Sequence, residues 1–352
     1  MATISQSYAI SLSRCFFYSY RFPVYSHSKL LYILISTSKL TDAKHHPASR
    51  KASESNIAQS REQPINEQKI AVITDTGTDT PADFAETHDV RTVALAINYS
   101  NGDSFRSGFE ITSSEVVDRF AEEIPTTSLP SPSDIRSALE AVRADGYEAA
   151  VFVTISSGLS ATNHTAHLVA SQMPDFPVTI VDTKSVGIAA GLVVMGAVRM
   201  VEEGVPYEEL GDRLEALVKE TYGYFTVREL SYLHHGGRIN EATYRLGSIL
   251  NLKPVFTCDD EGKYVTVKKC RGWEKALASE LSLIRSHAER FGRVICAVCC
   301  TKAEPRVEEL MQKIRELIPN CIEIVKTELT PDLVVHAGPS LVGMVVQPLN
   351  AS

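Results

Sequence analysis

Between residues 68 and 225, short apolar runs alternate with helix-forming stretches, most of them ten or more residues long. That alternation narrows the fold more than any other feature of the chain. The runs at 69–74, 90–99, 149–155 and 178–181 read as strands. The stretches at 81–87, 113–123, 132–144, 161–172, 188–203 and 207–221 read as helices. Strands separated by helices cannot return as hairpins. The pattern therefore predicts βαβ units, a mostly parallel sheet and helices on both of its faces. Local chemistry agrees at one helix start: Ser131 precedes Pro132 and Asp134 lies in the first turn, an N-cap with proline at the first helical position.

After residue 225 the pattern changes. Residues 238–250 read as a helix, and 253–258 with 263–269 as a hairpin around Asp259-Asp260-Glu261-Gly262. Helices at 273–291 and 305–318 alternate with strands at 294–300, 321–327 and 342–347. The expected organisation is an α/β protein with an N-terminal extension over 1–67. A first α/β domain covers 68–225, and a second, with a mixed sheet, covers 226–349.

Charge separates the extension from the body. The whole chain carries −8, while residues 1–67 hold eight Lys/Arg against four Asp/Glu, which leaves −12 on the remainder. A body this acidic argues against nucleic-acid binding, which needs clustered positive charge. Residues 30–35 are apolar, but a membrane-spanning helix needs about 20 such residues. The extension, with no acid before Asp42, reads as an organelle-targeting leader or as sequence upstream of the true start, ending in a polar linker over 43–67. The seven cysteines, an odd number in a large chain, argue against a disulfide framework and for a reducing, cytoplasmic setting. Cys296, Cys299 and Cys300 fall on a predicted strand, where neighbours point to opposite faces, so no metal is expected there.

In parallel α/β sheets ligands bind beyond the carboxyl ends of the strands. The loops at 75–80, 125–131, 156–160 and 182–187 are thus the candidate site. Two of them are rich in hydroxyls and precede helices, whose unpaired N–H groups favour an anion: Thr126-Thr127-Ser128 and Ser156-Ser157-Gly158-Leu159-Ser160. Capping alone would also account for such residues. A catalytic serine at Ser157 or Ser160 is the rival reading, although the spacing of a nucleophile elbow is absent. A third loop, His234-His235-Gly236-Gly237-Arg238, offers close backbone approach and a guanidinium, and Arg271 and His336 follow later. No Walker motif and no Gly-x-Gly-x-x-Gly is present, and no cofactor is expected.

Taken as an ordered series, these stretches resemble the DegV family. The residues that carry the likeness are Ile73–Asp79, Thr126–Asp134, Ser156–Thr162, Val181–Gly187, Leu230–Ile239, Leu246–Val255, Arg271-Gly272 and His336–Pro339, within about 69–349. The resemblance implies two α/β domains with a ligand tunnel at their interface and non-covalent binding of a long-chain fatty acid. It also implies presentation of the carboxylate to a fatty acid kinase for acyl-phosphate formation. Carried over by position, Thr127 and Ser157 would hold the carboxylate and Ser128 and Ser156 would flank it. Arg271, His336 and Arg238 would lie near the head group or the kinase-facing surface. Leu129, Ala161 and Asn163 depart from the residues common in the family at those positions and would reshape the pocket mouth. Against this carrier reading stand a serine acyl hydrolase or transferase and a lipid-responsive regulatory module. Removal of residues 1–67 is expected to leave folding and ligand binding intact, as checked by circular dichroism and lipid titration; a truncated chain that cannot fold contradicts this.

Overall fold

The structure, a computed structural model, describes residues 65–301 and 306–349. The extension over 1–67 thus lies outside the described residues, apart from its last three. Chain order runs β1 (Ile70–Asp75), a 3-10 turn (Thr76–Thr78), α1 (Ala82–Thr87), β2 (Arg91–Val93), β3 (Ala96–Asn98), β4 (Ser104–Arg106), α2 (Ser113–Arg119) and β5 (Thr126–Ser128). It continues with α3 (Pro132–Ala144), β6 (Ala149–Thr154), α4 (Thr162–Ala170), β7 (Val178–Asp182), α5 (Ile188–Glu202), α6 (Tyr207–Lys219), β8 (Tyr222–Val227), α7 (Ser231–His235) and α8 (Glu241–Ile249). The remainder is β9 (Leu252–Cys258), β10 (Tyr264–Arg271), α9 (Trp273–Ala288), β11 (Val294–Cys300), α10 (Val307–Leu317), β12 (Cys321–Glu328), α11 (Pro331–Ala337) and β13 (Leu341–Pro348).

Strands β2-β1-β6-β7 form a parallel sheet. Its central strands are apolar on both sides because helices cover both. Ala71, Ile73, Ala150 and Phe152 pack with α3 and α4, while Ile70, Val72, Val151 and Val153 pack with α5 and α6. A mixed sheet follows in the order β10-β9-β8-β13-β11-β12, in which only β11 and β12 run parallel. Alternation along β11 sends Ile295, Ala297 and Cys299 to one face and Cys296, Val298 and Cys300 to the other. The second face is covered by α9 and α10.

Helix α5 joins the two sheets. Its sequence is apolar nearly all round, the mark of a helix covered on every side. Ile188, Ala189, Leu192 and Met195 face the mixed sheet, whereas Val193, Val194, Ala197, Val198 and Val201 face the parallel one. Gly191 lets its first turns close on the 3-10 turn: a Cβ there would stand 2.6 Å from the Thr78 carbonyl oxygen, which backbone cannot vacate.

Several elements differ from expectation. The single strand expected over 90–99 is two strands in different sheets. After β2, the Leu95 N–H is taken by Thr76 Oγ1 at 3.0 Å and its carbonyl accepts from Ser107 N, so the chain leaves the parallel sheet. β3 then joins a small antiparallel sheet, β4-β3-β5, and the hydroxyl-rich segment at 126–128 is its edge strand rather than a loop. The helix expected over 238–250 begins later, at Asn240 as N-cap, because Gly237 adopts φ 71 after the short helix α7. The expected boundary at 225 falls inside β8. Among the described residues, no helix is long and apolar enough to cross a membrane. Leu192→Ala is expected to cost about 2–5 kcal/mol in denaturant unfolding, because it opens a cavity in the core between α5 and the mixed sheet. The same truncation at Leu246, 46% exposed, should cost well under 1 kcal/mol.

Candidate functional site

A cavity of about 350 Å³ lies between the N-terminal turn of α5, the central strands β8 and β13, and helix α11. Most of its wall is apolar, with Ile188, Phe225, Leu233, Leu341 and Val345 among the lining residues. Polar groups gather where β5 and α11 meet. Thr127 projects from β5, whose register sets it opposite Ile97 of β3, and Thr127 Oγ1 lies 2.8 Å from His336 Nε2. Ser128 also lines the cavity, and its Oγ accepts from Asn98 Nδ2 at 3.2 Å.

Two glycines bring these motifs together. His336 lies in the last turn of α11, and its Nδ1 occupies the space that a Cβ on Gly236 would need. Gly338, with φ 74, in turn sits against the Tyr232 ring of α7. The His-His-Gly-Gly-Arg and His-Ala-Gly-Pro segments are thus two halves of one contact. Burial, with the neighbouring Arg238 and His235 adding, pushes the His336 imidazole down to about 3, so the ring is neutral at physiological pH. In the tautomer that donates from Nε2 to Thr127 Oγ1, the threonine hydroxyl keeps its own proton for a ligand oxygen. Arg238 also lines the cavity, with its guanidinium donating to the Gly236 carbonyl and, at 3.2 Å, to the Leu159 carbonyl.

The remaining expected residues stand elsewhere. Ser156 is buried outside the cavity lining, donating to the Gly262 carbonyl at 2.8 Å and accepting from Gly158 N at 3.0 Å. Ser157 is exposed; its N–H donates to Asp182 Oδ1 at 3.1 Å and its Oγ accepts from Lys184 Nζ at 3.1 Å. Lys184 is ion-paired with Asp182 at 2.9 Å, so Ser157 faces a cation rather than an imidazole base. Both serines fasten the β9–β10 turn and the 182–187 loop. Arg271 closes β10 opposite Leu252 and is exposed. The loop that follows β6 instead reaches the cavity with Ser160, and the loop before α5 with Ser185. Ser160 belongs to the hydroxyl-rich 156–160 loop, and Ser185 to the 181–187 segment.

Two acids also stand in the wall, where no local signal in the sequence marks them; Asp79 closes the Ile73–Asp79 segment. Asp79 and Asp332 line the cavity, and Asp75 ends β1 outside the lining; all three are buried. Burial pushes Asp75 up to about 7 and Asp79 up to about 8, the charge of Asp332 adding to both, and burial raises Asp332 as well. These carboxyls hold protons in the fold that the unfolded chain releases near the ordinary value of 3.8. Their contribution to stability is therefore present at low pH and is lost as pH rises through their folded values. His336 acts oppositely, but only below about 6.5, where the unfolded imidazole titrates. Between about pH 6.5 and 8, stability from denaturant titrations is expected to fall, with Asp79→Asn flattening the slope. Stability that rises across this window contradicts neutral buried acids.

Comparison with known proteins agrees with this architecture. The family model described as "Uncharacterised protein, DegV family" matches residues 69–349. A DegV domain-containing protein of Clostridium perfringens is 33% identical over 280 residues, which covers 80% of this chain and 99% of that protein. The structure of a DegV family protein from Thermus thermophilus, reported for its fatty acid binding, is similar with a TM-score of 0.74 and 32% identity, covering 79% of this chain and 99% of that one. A stearic-acid-binding protein from Eubacterium ventriosum superposes with a TM-score of 0.72 at 25% identity, covering 80% and 98% of the two chains. With a family match over most of its length and a relative a third identical, the chain belongs to the DegV family.

Proposed function

We propose that the protein binds a long-chain fatty acid non-covalently, with its carboxylate at Thr127 and the chain in the apolar cavity. The observation that carries this reading is the cavity itself, apolar along most of its wall and ending at a threonine hydroxyl backed by a neutral histidine. The fatty acid binding reported for the Thermus thermophilus and Eubacterium ventriosum relatives supports it. Burying a sixteen-carbon chain at ~0.8 kcal/mol per methylene gains on the order of 12 kcal/mol. Association costs of ~4–15 kcal/mol offset much of that, so useful affinity requires a largely preformed cavity. A buried carboxylate also needs donors, since an unpaired charge costs several kcal/mol. Thr127, Ser128 and the nearby guanidinium of Arg238 supply donors and positive potential without a fixed counter-ion.

A bound acid held this way has its chain shielded and its carboxyl near the surface-facing edge strand β5. This suits a carrier that presents the acid to a fatty acid kinase in the cytoplasm, with Arg271 and the exposed turn residues Asp260 and Glu261 available to that partner. In this reading Ser156 and Ser157 keep the turn in place rather than touch the ligand.

Native mass spectrometry of the purified protein is expected to show an added mass of one long-chain acid; delipidated protein with no saturable uptake of palmitate or oleate contradicts the proposal. Thr127→Val is expected to weaken binding by about 1–3 kcal/mol, the cost of one donor lost from a charged group. Ser157→Ala should change affinity by less than about 0.5 kcal/mol. The reverse order in isothermal titration would move the carboxylate to the 156–160 loop. With ATP and a fatty acid kinase, oleate-loaded protein should yield an acyl phosphate trapped as its hydroxamate, and a persistent absence of trapped product removes the carrier role.

A further inference from the structure

The cavity carries a second polar patch that the head-group reading leaves unused. Asp79 faces it from the turn after β1 and Asp332 from the first turn of α11, each 1% exposed. One oxygen of each is satisfied by the protein: Asp79 Oδ1 accepts from Thr330 N at 2.8 Å, and Asp332 Oδ1 accepts from Ser107 Oγ. The other oxygen of each, Oδ2, is buried without a well-formed hydrogen bond, with the Thr330 hydroxyl near both acids and that of Thr76 near Asp332. Among the described residues, neither acid forms an ion pair. The titratable groups near them are Asp75 at the end of β1, Tyr264 on β10, Cys299 on β11 and His336 on α11, with the Arg238 charge acting on Tyr264 and His336.

A plain alkyl chain lying against this patch would leave both oxygens desolvated and unpaired, which is costly. A hydroxyl donates one hydrogen bond and accepts others, so a single hydroxyl group can answer both acids. Its position along the chain is bounded. Asp332 and His336 are four residues apart on α11 and so share a face, separated by about 6 Å along the axis. A carboxylate held at Thr127 and His336 therefore places the patch part-way along the acyl chain. Sites built to hydrogen-bond a buried hydroxyl discriminate strongly against the analogue that lacks it.

We propose that Asp79 and Asp332 are a specificity-determining pair that receives a hydroxyl on the bound acyl chain, so that the cavity prefers a hydroxylated fatty acid. The inference rests on the fatty-acid reading and goes beyond it. Burial raises both acids, Asp79 to about 8, which favours a protonated Asp79 that can donate as well as accept.

The test is competition on the full chain between stearic acid and a positional series of monohydroxystearic acids, read by displacement of a fluorescent fatty acid. One in-chain isomer is expected to bind about tenfold more tightly than stearic acid, the worth of a buried neutral hydrogen bond or two. That ratio should fall to about twofold or less in Asp332→Ala. Asp79→Asn, which still offers a donor and an acceptor, should keep it. If every isomer binds no more tightly than stearic acid, water fills the patch and the inference is overturned while the fatty-acid reading stands. If neither stearic acid nor any isomer binds, both are overturned. The wild-type series decides the matter even if Asp332→Ala fails to fold.

Discussion

The burial of α5 is the constraint on which the rest of the molecule depends. A fifteen-residue helix with apolar side chains nearly all round cannot face water on either flank. It is stable only between two layers, and here those layers are two different sheets. Ile188, Ala189 and Leu192 are committed to the mixed sheet and Val193, Val194 and Val198 to the parallel one. Because the helix is shared, the space at its N-terminal end is bounded by elements of both halves of the chain. That space is the cavity. Its apolar character follows from the same side chains that hold the sheets together, which is why the ligand proposed for it is one with a long hydrocarbon chain.

Polar groups reach this apolar space by close backbone approach. The absence of a side chain at Gly236 lets the His336 ring settle against α7, and Gly338 does the same for Tyr232. Together they fix α11 so that His336 backs Thr127 on one side and Asp332 stands one turn away. An imidazole that is neutral through burial can orient a hydroxyl without introducing a charge that would compete with a carboxylate. Burial likewise raises the two acids of the wall, which favours their neutral forms over fixed negative charge.

Much of this was legible in the sequence. Strands that are apolar on both faces, helices between them, and the Ser131–Pro132 cap all obey local rules, and β1, β6, β7, β9, β11 and α3 lie within a residue or two of where those rules put them. What was not legible depends on partners distant in the chain. Nothing local announces that Thr76 takes the Leu95 N–H and splits one apolar run into two strands. Likewise, a hydroxyl-rich loop before a helix looks the same whether its serines face a ligand or a neighbouring turn. Ser156 and Ser157 meet Gly262 and Lys184, partners 106 and 27 residues away. Thr127 and His336, 209 residues apart, do come together, and the ordered series of motifs rather than any single spacing pointed to both.

The most direct test is a crystal structure of the protein grown with palmitate. The acyl chain should lie between Ile188 of α5 and Val345 of β13, with a carboxyl oxygen about 3 Å from Thr127 Oγ1. A cavity filled by rearranged side chains, or a carboxyl bound outside it beside Ser157 and Lys184, would contradict the account.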